Sequence, residues 1–155
     1  MVQPIPAGYH SVTPYLLVRG AAKALDWYAQ ALGARELMRF PLPGGGIAHA
    51  EVMIGDSHVM LADEVPDEGF VGPQTLGAAG VSLMLYVDDV DATFARAVAA
   101  GATSRRAVVD QFYGDRSGTL VDPVGHVWTI ATHKEDVSAE EAQRRMKALS
   151  SKNAG

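Results

Sequence analysis

Alternation and helical periodicity divide the chain into two runs of the same five elements. From Val12 to Val18 the residues favour β-structure, and the segment is predicted as a first strand. Apolar residues then recur at Ala21, Leu25, Tyr28, Ala29 and Leu32, the spacing of an amphipathic helix. Gly33 stands where a left-handed residue would close that helix. Arg35 to Leu42 reads as a second strand, and Pro43-Gly44-Gly45-Gly46 as a flexible turn. Ile47 to Ile54 and His58 to Asp63 are two more strands around Gly55-Asp56-Ser57. Glu64 to Gly80, rich in Gly and Pro, reads as a linker.

The same order then returns. Val81 to Val87 is a strand, and Val90 to Ala100 a helix opened by Asp88, Asp89 and Asp91, which favour a helix N-terminus. Gly101 ends it, Thr103 to Asp110 is a strand, and Ser117 to Val121 and His126 to Thr132 form a hairpin. Asp122-Pro123-Val124-Gly125 suits a type I turn between them. Val18 precedes a helix closing in Leu32-Gly33-Ala34, and Val87 one closing in Ala100-Gly101-Ala102, at about the same offset, as an internal duplication predicts. The fold class is therefore α+β, with two tandem βαβββ modules forming a cupped mixed sheet. The divisions are a lead-in over 1–10, a first module over 11–64, a linker over 65–80, a second module over 81–133, and a C-terminal capping helix and tail over 134–155. Ser138 to Ser150 is that helix: Ser138-Ala139-Glu140-Glu141 is a capping box, and Arg144, Arg145 and Lys147 lie toward its end.

Helices cover one face of each sheet, and strand parity then identifies the other as the lining of a cleft. Ala48, Ala50, Val52 and Ile54 belong under a helix, while Ile47, His49, Glu51 and Met53 share the opposite face. With Ile54 opposite Ser57, Glu51 pairs with Met60 and Met53 with His58. Val81, Leu83, Leu85 and Val87 form the helix-side face of their strand, and Ser82, Met84 and Tyr86 the other. Thr13, Tyr15 and Thr129 face inward by the same parity. A lining of Met, Tyr, Ser and Thr with one His and one Glu suits a mostly apolar small molecule held by a few polar anchors.

Composition narrows the function classes. At 155 residues and 48% hydrophobic, the chain can bury a core and is not disordered. A formal charge of −5 gives no footprint for nucleic acid, and the pairs Arg105-Arg106 and Arg144-Arg145 are too small to track phosphates. Without cysteine there is no disulfide, thiolate nucleophile or sulfur-ligated metal. No signal peptide is apparent in the first twenty residues and no apolar run approaches the roughly 18–20 residues of a membrane span, so no membrane partner is expected and the cytoplasm is the default location. Gly44 to Gly46 lacks the following Gly-Lys-Ser/Thr of a phosphate loop.

The paired modules, the run from Asp26-Trp27-Tyr28 to Leu32-Gly33-Ala34, and Asp122-Pro123-Val124-Gly125-His126-Val127-Trp128 resemble the vicinal oxygen chelate superfamily, which includes glyoxalase I, extradiol dioxygenases and bleomycin resistance proteins. Val12-Thr13-Pro14-Tyr15-Leu16, His49-Ala50-Glu51, Met60-Leu61-Ala62-Asp63, Tyr113-Gly114-Asp115-Arg116 and Gly125 to His133 resemble its PhnB-like branch, and the likeness spans about residues 11 to 137. The resemblance implies a homodimer and, in the family's enzymes, a divalent metal held by His, Glu or Gln on four strands. Counted from the strand–helix landmarks, those places fall here on Thr13, Met60, Ser82 and Thr129. Hydroxyls and a thioether bind such cations weakly. No standard metal site and no cofactor are therefore expected, and a divalent ion could sit only at a non-standard site.

The expected function is binding of a small, mostly apolar ligand by Thr13, Tyr15, Met60, Ser82, Met84, Tyr86, Tyr113, Arg116 and Thr129. The alternative is a metal-dependent or metal-free lyase, isomerase or dioxygenase-type enzyme in which His49 and Glu51 move protons or hold a displaced metal. Each residue also has a structural alternative. His49 with Glu51 could be a hydrogen-bonded pair at the cleft floor or dimer seam. His58 is expected beside the turn and exposed. Arg116 could clamp an anionic group or pair with Asp115 to brace its loop. Phe112 and Tyr113 could stack on a ligand or cover the core. Trp128 is expected in the core, His126 to hold its turn, and His10 and His133 to have no role.

Overall fold

In the computed structural model, which describes residues 2–152, each module folds into its own four-stranded sheet. Module 1 comprises β1 (Tyr15–Val18), α1 (Ala21–Leu32), β2 (Arg35–Pro41), β3 (Ile47–Ile54) and β4 (Ser57–Asp63), with strand order β1-β4-β3-β2. Between the modules lie a 3₁₀ turn (Pro66–Glu68) and the single-turn helix α2 (Pro73–Leu76). Module 2 repeats the order as β5 (Ser82–Tyr86), α3 (Val90–Ala99), β6 (Thr103–Asp110), β7 (Asp115–Val121) and β8 (Val127–His133), arranged β5-β8-β7-β6. α4 (Ala139–Lys152) follows. In each sheet the first and last strands of the module pair in parallel, while the other pairs are antiparallel.

The helices form where the sequence spacing places them, but their first turns are held from a distance. At the start of α1, Gly20 has no side chain to cap with. Asp63 at the end of β4 accepts from the Gly20 and Ala21 amides at 2.8 and 2.9 Å, and from Ile47 N at 2.7 Å. Module 2 uses the equivalent residue at the end of β8: Thr132 Oγ1 accepts from Val90 N at 2.9 Å, beside the local cap from Ala92 N to Asp89 Oδ1. Glu141 N donates to Ser138 Oγ, so half of the expected capping box forms, while the Glu141 carboxylate turns to Arg144 and Arg145.

One hydrophobic core serves both modules. Leu16, Tyr28 and Leu61 of module 1 and Val90, Leu120, Trp128 and Ile130 of module 2 belong to the same buried cluster. Helices α1 and α3 pack together, and Arg96 Nε donates to Ala31 O at 3.0 Å. A buried carboxylate locks the joint. Asp122, in the β7–β8 turn, accepts from Tyr28 Oη at 2.8 Å, Trp128 Nε1 at 2.9 Å, Val124 N at 3.0 Å and His126 N at 2.9 Å. Burial and the neighbouring Asp122 carboxylate push the Tyr28 phenol well above its ordinary range. His126 reaches the other module through Nε2 and Leu17 O, 3.1 Å apart.

Two strand-face expectations are corrected. Ala48 does not lie under a helix: the β2–β3 register slips between Phe40↔His49 and Pro41↔Ile47 and makes it an extra, exposed residue, while Ile47 beside it is buried in the core and still borders a hollow of the open face. Val81 does not extend the helix-side face of β5, since the strand begins at Ser82 and leaves Val81 exposed. Nor is the predicted linker structureless. Glu64, nearly buried at the end of β4, accepts from Thr75 Oγ1 at 2.6 Å, Gly72 N at 2.8 Å and Arg19 Nε at 3.1 Å. These bonds, Thr75 foremost, hold its carboxyl below the usual range and strap the segment to module 1. Among the described residues, no helix is long and apolar enough to cross a membrane.

Candidate functional site

The open face of module 1 carries most of the expected chemistry. Register places Tyr15, Met60, Glu51 and Met38 side by side across β1, β4, β3 and β2, with Phe40 opposite His49 in the next row. His49 bridges the two chemically active groups: Nδ1 lies 2.8 Å from Tyr15 Oη and Nε2 lies 3.0 Å from Glu51 Oε1. The other Glu51 oxygen accepts from Tyr9 Oη, whose ring stacks on His58. Glu51 is only 7% exposed, yet the Tyr9 bond and then His49 hold its carboxyl below the usual range against the effect of burial. A carboxylate can only accept, so Nε2 carries a proton, and in a neutral imidazole Nδ1 then accepts from the Tyr15 hydroxyl. The result is a phenol–imidazole–carboxylate chain whose exposed end is Tyr15.

Beside it lies a hollow of about 520 Å³, lined by Tyr15, Leu17, Leu42, Ile47, Ala48, Ala62, Val65 and Phe70, with Asp63 and Glu64 at its border. A second cavity, about 510 Å³, lies at the junction of the modules, where Thr13 and His58 meet Met84 and Tyr86 together with His10 and Leu83. His58 is thus not free beside its turn; it forms a ledge under Tyr9.

The open face of module 2 aligns Met84, Thr129 and Thr119 in one row and Tyr86, Ala131 and Ser117 in the next. The hydroxyls of Thr129 and Thr119 are 3.1 Å apart. Ser82 opens β5 opposite Val127 and is exposed. Tyr86 Oη donates to the buried Asp115 at 2.8 Å, and Asp115 Oδ1 lies 2.8 Å from His133 Nδ1. His133 Nε2 is 2.9 Å from Asp136 Oδ1. His133 therefore has a place in the structure that its chain-end position concealed. Tyr113 packs edge-on against Phe112 and stays partly exposed.

Arg116 does not pair with Asp115. It alternates with Asp115 and Ser117 along β7, turns to the helix side of the sheet, and holds Asp91 at 2.8 Å and Asp110 at 3.1 Å. Both acceptors were invisible as partners because they lie on α3 and β6.

Sequence reasoning also missed Tyr9, Leu17, Phe40, Val65 and Phe70. Phe70 and Val65 had a signal, being bulky apolar residues inside a Gly- and Pro-rich segment, and they pair across an isolated bridge. Tyr9 had none beyond its aromatic character in the lead-in.

A family model described as "Glyoxalase/Bleomycin resistance protein/Dioxygenase superfamily" matches residues 8–130. An uncharacterized protein of Mycobacterium tuberculosis (strain ATCC 25618 / H37Rv) is 42% identical over 139 residues, covering 88% of this chain and 82% of its own. The crystal structure of TioX from Micromonospora sp. ML1 aligns with TM-score 0.63 at 27% identity, over 83% of this chain and 100% of that one. TnmS3, an antibiotic binding protein from Streptomyces sp. CB03234, shares the fold with TM-score 0.62 at 24% identity, over 86% and 100% of the two chains. The tandem βαβββ modules, their shared core and the matched residues lead to one assignment: the chain belongs to the glyoxalase/bleomycin resistance protein/dioxygenase superfamily.

Proposed function

We propose that this protein binds a small, mostly apolar molecule on the open face of module 1, with Glu51 and His49 as its polar anchors. The observation that carries the reading is the apolar hollow of about 520 Å³ beside a buried carboxylate, the combination of greasy walls and few oriented polar groups that ligand pockets use. The likeness to TnmS3, an antibiotic binding protein, supports a sequestering role. A standard divalent metal does not fit. The four places where the family's enzymes hold one carry Thr13, Met60, Ser82 and Thr129, three neutral hydroxyls and a thioether. Calorimetric titration with a panel of neutral aromatic compounds tests the reading. It expects one-to-one binding that Phe70→Ala and Tyr15→Ala each weaken about tenfold, the equivalent of about 1.4 kcal/mol. Absence of binding across the panel overturns it.

A second reading is favoured by the Tyr15–His49–Glu51 chain. It has the geometry of a general base oriented by a carboxylate, suited to a lyase, isomerase or dioxygenase-type reaction. Chemical turnover of a bound compound, lost in both His49→Ala and Glu51→Ala, would select it; recovery of every ligand unchanged selects the binder.

The exposed apolar residues of the open faces, Met38 and Phe40 on module 1 and Met84 and Val109 on module 2, support a homodimer that covers them. Size-exclusion chromatography with light scattering should then give twice the 16.4 kDa chain mass.

A further inference from the structure

Tyr9 reaches the floor of the module 1 face from outside the sheet. Its ring lies on the His58 imidazole with centroids 3.8 Å apart and planes 25° apart, and its hydroxyl donates to Glu51 Oε2. Glu51 is more than nine-tenths buried, and its other oxygen is held 3.0 Å from His49 Nε2. Ledge, carboxylate and imidazole together complement a flat ring bearing one strongly donating hydroxyl. The segment that delivers Tyr9 has little else to hold it there. The one backbone hydrogen bond described for residues 2–12 is internal, from Tyr9 N to Pro6 O at 3.1 Å, and Val2 through Ala7 are exposed. Among the described residues, the hydrogen bond that ties Tyr9 to the sheet comes from its side chain, as a guest's would.

We infer that Glu51, His49 and His58 form a phenol-recognition site, that Tyr9 fills it in the free chain, and that the exogenous ligand is a planar phenol which takes the place of Tyr9. The inference rests on the reading that this face binds a small molecule, and names the chemistry of that molecule's polar end. The adjoining hollow by Tyr15 and Phe70 would take the remainder of a larger ligand. A tethered group on a short flexible segment competes at an effective concentration of about 1 mM, so removing it should sharpen the affinity for a free phenol.

The test titrates p-cresol, with toluene as the control lacking the hydroxyl, into the wild-type chain, Tyr9→Ala and the double variant Tyr9→Ala/Glu51→Gln. The affinity for p-cresol is expected to rise about tenfold in Tyr9→Ala, with no rise for toluene and most of the gain lost in the double variant. Equal p-cresol affinity with and without Tyr9, or an equal gain for toluene, overturns the inference. Tyr9→Phe keeps the ring on His58 and removes only the hydroxyl, so it serves if Tyr9→Ala fails to fold; a gain of a few-fold is expected there, and none would again overturn the proposal. N-phenyl-1-naphthylamine is titrated in parallel as a probe of the apolar hollow. Dye binding without the p-cresol gain removes the phenol site and leaves the binder standing, whereas failure of both removes both.

Discussion

Replacing Asp122 by Ala strips four donors of their acceptor in one step. Two are side chains with no route to water: Tyr28 Oη, on a fully buried ring, and Trp128 Nε1, on a ring 3% exposed. The other two, the amides of Val124 and His126, belong to the β7–β8 turn and can be re-solvated as it loosens. An orphaned buried donor costs about 1–3 kcal/mol, so the two side chains set the loss at about 2–6 kcal/mol. A typical domain has only about 5–15 kcal/mol in total, and at about 2–4 °C per kcal/mol for this size a loss of about 4 kcal/mol lowers the melting temperature by about 8–16 °C. Tyr28→Phe removes one donor and leaves Asp122 three, so about 1 kcal/mol is expected. Urea unfolding of both single variants and the double variant closes the cycle. Tyr28→Phe should cost nothing, or even stabilise, in the Asp122→Ala background, because the hydroxyl it removes has already lost its acceptor. A loss below about 1 kcal/mol for Asp122→Ala, with an additive cycle, would refute the claim that this carboxylate joins α1 to module 2.

Gly114→Ala should cost more than about 2 kcal/mol in the same assay, because Gly114 sits at φ +102, where an L-residue is strained, and an added Cβ would meet the Glu135 carbonyl oxygen. His133 has its pKa raised by hydrogen bonds to Asp115 first and Asp136 second. Its contribution to stability is therefore complete below the unfolded value of about 6.5 and disappears as pH rises through the higher folded value. NMR titration of His133 should show the raised pKa, and His133→Gln should flatten that part of the stability–pH curve. Arg116→Ala breaks two solvent-exposed ion pairs and should cost no more than about 1 kcal/mol, while ligand affinity, measured by the same titration used for Tyr15→Ala, stays within about twofold of wild type.

What the sequence disclosed and what it hid differ by range. Helix α1 was legible to the residue, since Ala21, Leu25, Tyr28 and Leu32 mark one face and Gly33 stops it. The β3–β4 register was equally legible, because the Gly55-Asp56 turn fixes Ile54 opposite Ser57 and carries Glu51 to Met60. A bulge obeys no such period, so the slip at Ala48 and the burial of Ile47 could not be read from alternation. Long-range partners were hidden for the same reason. Asp63 capping α1, Glu64 holding Thr75 and Gly72, and Tyr28 reaching Asp122 join residues far apart in the chain. In the candidate site, the face shared by His49, Glu51 and Tyr15 followed from parity, whereas Tyr9 and Phe70 come from segments with no period to announce them. Arg116 shows the limit from the other side: its charge drew attention, and its parity turns it to the helix face.

On the proposed reading, the open face of module 1 receives a small, mostly apolar molecule. Side-chain and backbone NMR during titration with the tightest compound of the neutral aromatic panel tests it most directly. The shifting resonances should cluster on Tyr15, His49, Glu51 and Phe70, with the His49 ring nitrogens among them. Shifts confined to module 2 or to the junction around Met84 and His10, or none at saturating ligand, would contradict it.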